Sequence, residues 1–458
     1  MAIIAPFRGL TYNINKVANI ESLIAPPYDV ISEKDQDQYY KNSPYNVIRL
    51  ILGKKNTGDS DWDNRYTRAA DFFKRWESEE ILIRSPFPAI YLISVEYSLP
   101  DNIGPMTRWG FITLVRIEEN NSPVIRPHEK TFSFHREDRL KLMRACNAQF
   151  SPIFSLYEDR ENAIIGAFDR VKGSPPTLSF KDKDGYRYKM WEVSSNSIYK
   201  SIASNMSAKP IVIADGHHRY ETARNFRDLM RARYGANQPE RPFEYVMMYL
   251  TNMADKGVTL LPAHRLLKSC PNFNLPKFLS SAEKWFEILT FPFSSENEEN
   301  VKKDFLKKLK KQGRDRTAIG FYGFGSENYY LLSMRRGAEE ALGGDLHPSL
   351  KKLDVLVLSK IIFQNILDLG KDDLDNENII KYESNANDAL SLVFSGDCRM
   401  AFLVNPTKIE QVLEITGNSL LMPRKSTYFY PKILTGLVLN KIDPYEKIMT
   451  IRHNTRVR

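Results

Sequence analysis

A chain of 458 residues exceeds what one simple hydrophobic core supports, so two or more domains, or one core with large insertions, are expected. With 42% hydrophobic and 26% charged residues, no apolar run long enough for a bilayer and no signal-peptide pattern at the N-terminus, it reads as a cytoplasmic globular protein without membrane partners. The net charge of +9 is interleaved with acidic residues rather than gathered in a basic arm, which gives no reason to invoke nucleic acid, and the scattered Cys146, Cys270 and Cys398 argue against a disulfide framework or a structural zinc site.

In chain order, Leu23–Ile31 carries a double proline, which suits a loop presenting Tyr28 and Asp29, or equally a rigid entry to a strand. The run 46–52 predicts a strand interrupted by Arg49. Trp62, Tyr66, Ala69, Phe73 and Trp76 recur at helical spacing and predict a helix over 61–79. Strands over 89–97 and 109–117, parted by a loop rich in turn residues, predict a hairpin-like pair. Arg126, His128, Glu129, Lys130 and Thr131 then crowd one turn. A carboxylate between His and Lys can be held ionised to take a proton from a hydroxyl, although a solvated acidic turn has the same composition. A helix over 136–147 and a strand over 151–157 follow.

The most informative stretch is 209–223. Ile211, Val212 and Ile213 have the composition of a buried strand, Asp215-Gly216 supplies a turn, and Tyr220, Ala223 and Phe226 continue at helical spacing. His217, His218 and Arg219 therefore stand at a helix start, where free N–H groups and the positive dipole end suit an anion. Adjacent histidines point apart, so one or two of the set Asp215, His217, His218 and Arg219 do chemistry. Residues 245–252 predict another buried strand, and a prolyl turn delivers His264 and Arg265, toward a ligand or into a surface ion pair. From about 269 a second alternation of helices and strands begins, with a charged surface helix over 300–311, a long amphipathic helix over 351–369 and a strand over 400–405. Near the end, Arg424, Lys425, Ser426, Thr427 and Lys432 sit between aromatics and suit phosphate oxygens, or form a terminal strand with a basic edge. The glycines of a Walker loop are absent.

The Pro127-His-Glu129 and Asp215-Gly-His-His-Arg219 turns resemble the ParB/sulfiredoxin-like fold in its free-serine-kinase branch. With Ala25-Pro-Pro-Tyr-Asp-Val30, Leu261-Pro-Ala-His-Arg265, Met422-Pro-Arg-Lys-Ser-Thr427 and the chain length, the sequence resembles a larger family, long catalogued as a domain of unknown function, that contains pyrophosphate-dependent serine kinases. The resemblance implies an α/β (α+β) fold with a ParB/sulfiredoxin-like catalytic core, large insertions and an accessory α/β domain. Residues 1–268 would form the catalytic region, 269–417 the accessory domain, and 418–458 a basic segment returning to the active site. It further implies phosphoryl transfer from pyrophosphate to the hydroxyl of free L-serine, giving O-phospho-L-serine, with Mg²⁺. Glu129 would take the hydroxyl proton, and Asp215, His217, His218 and Arg219 would hold donor phosphates, with Asp215 on the metal. Tyr28, Asp29, Arg126, His128, Lys130, Thr131, His264, Arg265, Lys425, Ser426, Thr427 and Lys432 would bind phosphate or substrate. Three alternatives stand beside it. One is an ATP- or ADP-dependent small-molecule kinase of the same fold. Another is a metal-dependent phosphohydrolase using His128, Glu129, Asp215, His217 and His218. The last is a ParB-like nucleotide-gated binding protein, against which the lack of a helix-turn-helix counts.

Overall fold

Every residue of Tyr245–Asn252 is buried, as in a strand covered on both faces, and this run lies within a nine-stranded mixed sheet. The computed structural model describes residues 1–99, 104–119, 122–129, 133–271, 273–374 and 376–450, with 133–135 in backbone only. The chain is mixed α/β and its contacts divide it into two units. The first comprises Met1–Pro127, Thr131–Thr259 and Pro431–Arg458; the second comprises His128–Lys130 and Leu260–Tyr430.

The sheet of the first unit contains β1 (Ile4–Ala5), β2 (Ile90–Ser98), β3 (Pro105–Arg116), β4 (Ile125–Arg126), β5 (Ile153–Tyr157), β6 (Leu178–Lys181), β7 (Arg187–Val193), β8 (Ile211–Asp215) and β9 (Tyr245–Asn252). Their order is β4-β8-β5-β9-β3-β2-β7-β6, with β1 paired antiparallel to β3. The hairpin-like pair is β2–β3, antiparallel with Leu92 opposite Phe111. β8 runs parallel to β4 and antiparallel to β5. The C-terminal segment is stitched into this unit. Thr435 exchanges backbone hydrogen bonds with Ala25, and Asn440–Lys441 pairs with Ala148–Gln149.

One expectation fails here for a local reason. The run 46–52 is not a strand; Ile48–Ile51 is one helical turn. Asn46 decides it, since its Oδ1 accepts from the Ile48 N–H while its Nδ2 donates to the carbonyls of Ser22 and Ile24. The buried Ile48, Leu50 and Ile51 pack with Phe73 and Trp76 of the helix Arg65–Ser78. Of the two readings of Leu23–Ile31 the loop is the one found: Tyr28–Val30 is a single 3₁₀ turn after the double proline, ahead of the helix Glu33–Asn42.

The second unit is built on a six-stranded antiparallel sheet of β10 (His264–Leu267), β11 (Phe286–Pro292), β12 (Ala318–Gly323), β13 (Asn328–Met334), β14 (Ile380–Glu383) and β15 (Met400–Val404), in the order β11-β13-β12-β15-β10-β14. The helix Glu298–Gln312 lays Phe305 and Leu309 on it and leaves its lysines outward. The long helix expected over 351–369 is broken. Leu353 is extended between the turns Pro348–Lys351 and Asp354–Val357, and the chain widens into π-type turns over Leu358–Ile366. No helix among the described residues is long and apolar enough to cross a membrane.

Candidate functional site

The polar motifs gather into two clusters, one in each unit. In the first, β8 delivers Asp215 to the edge of the turn, and the ladder to β5 slips between Ile213 and Asp215. Gly216 follows with φ +95°, and the helix His217–Tyr234 starts at once. Arg219, one turn in, bends back to donate from Nη2 to Asp215 Oδ2 at 2.9 Å and from Nη1 to the Pro152 carbonyl. Lys432 Nζ donates to Asp215 Oδ1 at 2.8 Å. Burial alone would raise the Asp215 pKa, but Lys432 and Arg219, with His217 adding, outweigh it and hold the carboxyl well below the usual carboxylate range. The turn is thus an aspartate that orients two cations at a helix N-terminus.

Tyr28 joins the same unit from the double-proline loop. Its ring lies 4.0 Å beneath the Arg139 guanidinium, and burial pushes its hydroxyl up to about 12 against the opposing pull of Arg139. Arg139, Arg219, Tyr28, Ser151 and Thr222 line one cavity of about 50 Å³ with apolar neighbours such as Leu142 and Phe150. Ser151 Oγ shares a 2.8 Å hydrogen bond with Thr435 Oγ1. Asp29 is exposed, His218 is half-buried, and the Arg126 side chain donates to the Pro123 carbonyl. Arg139 was not singled out by the sequence, where it is one charge among several on a helix. Only its burial, with Asp138 and the Ile51 carbonyl accepting from it, sets it apart.

The second cluster lies within the second unit. His128 is fully buried, its Nε2 2.8 Å from Thr427 Oγ1, and its carbonyl accepts from the Met422 N–H at 2.7 Å. Glu129 forms a parallel backbone bridge with Met422. Arg265 donates from Nη2 to the Lys425 carbonyl at 2.9 Å. Burial brings its guanidinium down to about 10, with Tyr382 and Glu129 pulling the other way. Ser426 Oγ donates to the Pro423 carbonyl, and Lys425 holds a left-handed φ of +53°. His264 accepts from the Val404 N–H at Nδ1. Lys130 and Thr131 lie outside the described residues.

Gly216 admits no side chain without cost. A Cβ there would stand 2.8 Å from the Arg219 guanidinium, which Asp215 and Pro152 hold in place. Gly216→Ala is expected to destabilise the fold by about 1–3 kcal/mol through φ strain and the loss of that arrangement. Chemical denaturation reads the effect, and a variant as stable as its parent would show that Arg219 is not pinned.

His264 gives a pH dependence. Burial, then the neighbouring Arg265, lower its pKa from 6.5 to about 3. Below 6.5 the unfolded chain takes up a proton that the folded one refuses. The contribution is therefore complete above pH 6.5 and is lost as pH falls towards 3, by up to about 1.4 kcal/mol per pH unit. Asp354, pushed up to about 6 by burial, works in the opposite direction between 3.8 and 6, so the difference between His264→Gln and its parent isolates the histidine. The parent should lose more stability than the variant between pH 6.5 and 4. Parallel curves would contradict a neutral buried imidazole.

Asp215 does not fit as a protein ligand for Mg²⁺ in this arrangement. Each of its oxygens already accepts from a cation, so a divalent ion there would sit against Lys432 and Arg219. Among the described residues, no three His, Cys, Asp or Glu side chains gather where they could hold a metal ion.

The family described as "Protein of unknown function (DUF1015)" matches residues 4–356. No curated protein matches the chain. Among solved structures, a conserved hypothetical protein from Pyrococcus furiosus shares 13% identity at a TM-score of 0.33, covering 74% of this chain and 94% of that one. A free serine kinase in complex with AMP shares 15% at 0.33, covering 69% and 86%. SbnI with a C-terminal truncation from Staphylococcus aureus shares 9% at 0.31, covering 71% and 85%. Likeness at this level carries no weight for the chemistry.

Proposed function

The chain belongs to the DUF1015 family, and on that premise we propose that it is a kinase transferring a phosphoryl group from pyrophosphate to the hydroxyl of free L-serine. The observation that carries the reading is the turn at 215–219. A helix N-terminus, Arg219 and Lys432 meet there around one aspartate that keeps both cations oriented. Pyrophosphate has no base or ribose to grip, so its binding energy has to come from cations and N–H donors of this kind.

In the proposed reaction the serine Oγ attacks phosphorus, the bridging P–O bond breaks, and inorganic phosphate leaves. The hydroxyl proton passes to the Glu129 carboxylate as general base. Arg219 and Lys432 offset charge on the donor oxygens, and Asp215 keeps both cations placed before the donor arrives.

The test is a donor-by-acceptor screen read by phosphorus NMR, with pyrophosphate, ADP and ATP against serine, threonine and glycerate. Equal amounts of O-phospho-L-serine and phosphate are expected from pyrophosphate plus serine alone. Turnover with ATP or ADP in place of pyrophosphate would identify a nucleotide-dependent kinase instead. Phosphate release without serine would identify a phosphohydrolase.

A further inference from the structure

The second unit holds a cleft of about 1130 Å³ that the phosphoryl-transfer reading does not use. Separate segments of chain wall it: the loop after the helix Glu298–Gln312, the chain after β13, the turn Pro348–Lys351 and the chain after β15. Six cations lie along it, namely Arg314, Arg316, Arg336, Lys351, Lys352 and Lys408. Glu287 neutralises Arg316 at 2.7 Å and Glu414 faces Lys352 at 3.5 Å. Among the described residues, Arg314, Arg336 and Lys351 have no ion-pair partner. Asp354 also lines the cleft, and its Oδ2 accepts from the backbone and side-chain nitrogens of Asn405, both at 3.3 Å. Glu287, Asp315 and Glu339 line the cleft as exposed carboxylates and Asp354 as a half-buried one, so it offers three cations without an ion-pair partner among the described residues beside a recessed acidic acceptor.

Thr407, also in the lining, donates from Oγ1 to the Ser426 carbonyl at 2.6 Å. The neighbouring Lys425 carbonyl accepts from Arg265, and Thr427 bonds His128. One hydrogen bond thus joins the cleft to the loop 424–427.

We propose that this cleft binds a small phosphorylated metabolite, its phosphate on Arg314, Arg336 and Lys351 and a hydroxyl or amino donor on Asp354, and that its occupancy steadies the loop 424–427 through Thr407. The site does not depend on the phosphoryl-transfer reading, and its test needs no turnover.

Calorimetric titration of the full chain with O-phospho-L-serine and with ADP, against inorganic phosphate alone, distinguishes the sources of the phosphate. One of the two organic phosphates should bind more tightly than inorganic phosphate. Arg314→Glu with Arg336→Glu, both exposed and so tolerable to the fold, should weaken that binding by more than about tenfold. Hydrogen exchange at 424–427 should slow on addition of the tighter probe in the parent and not in the double variant. Equal affinity in parent and variant, or binding of neither organic phosphate, overturns the site. Unchanged exchange at 424–427 overturns the coupling.

Discussion

Asp215→Asn is expected to destabilise the first unit by about 2–4 kcal/mol, because it removes the charge of the anion that two largely buried cations share. Lys432 and Arg219 stand 2.8 and 2.9 Å from its two oxygens, and all three side chains are at most 15% exposed. A neutral amide of the same shape keeps the packing, so the loss reports charge and not volume. The acid limb should change as well. The Asp215 pKa is held below its ordinary 3.8, so its contribution is present above that value and lost as pH falls below it. The variant should lack this loss. Urea denaturation at pH 7 and pH 3 measures both effects. Adding Lys432→Met should restore part of the stability, since it removes one of the two charges that Asp215 offsets; strictly additive losses would show that the two residues do not interact.

Glu129→Gln is expected to cut turnover by about 10² or more while leaving pyrophosphate binding intact, as for loss of a general base. The substitution preserves size and the backbone bridge to Met422 but removes a charge that acts on the buried Arg265, so some loss of stability should accompany it and turnover is compared at full folding. Turnover is read by coupled phosphate release and donor binding by calorimetry. Unchanged turnover would remove Glu129 from the reaction. Weakened donor binding at unchanged turnover would make it a binding residue instead.

Family membership was legible because five short motifs stand in order along the chain, and the match over 4–356 agrees with it. The strand, turn and helix at 211–234 were legible because each is set within a few residues, by an apolar run, an Asp-Gly turn and a 3.6-residue period. The run 46–52 was misread because seven mostly apolar residues carry no period, and the deciding bonds of Asn46 reach back to Ser22 and Ile24. The broken helix near 353 escaped for a similar reason. Side chains in 351–369 keep amphipathic spacing, while the extended Leu353 and the Asp354 bonds to Asn405 belong to the packed unit.

The motif from Met422 to Lys432 shows where local reading stops. As sequence it is one basic, aromatic stretch, yet Thr427 bonds His128 in the second unit while Lys432 bonds Asp215 in the first. By itself the sequence determined the elements whose interactions close over a turn or two: β8, the left-handed Gly216, the helix start and the kinds of charge placed there. Only tertiary structure decided which second cation joins the local Arg219 on Asp215. Lys432 comes from 217 residues away, and a pairing over that separation depends on the return path of the whole chain, on which local periodicity has no bearing.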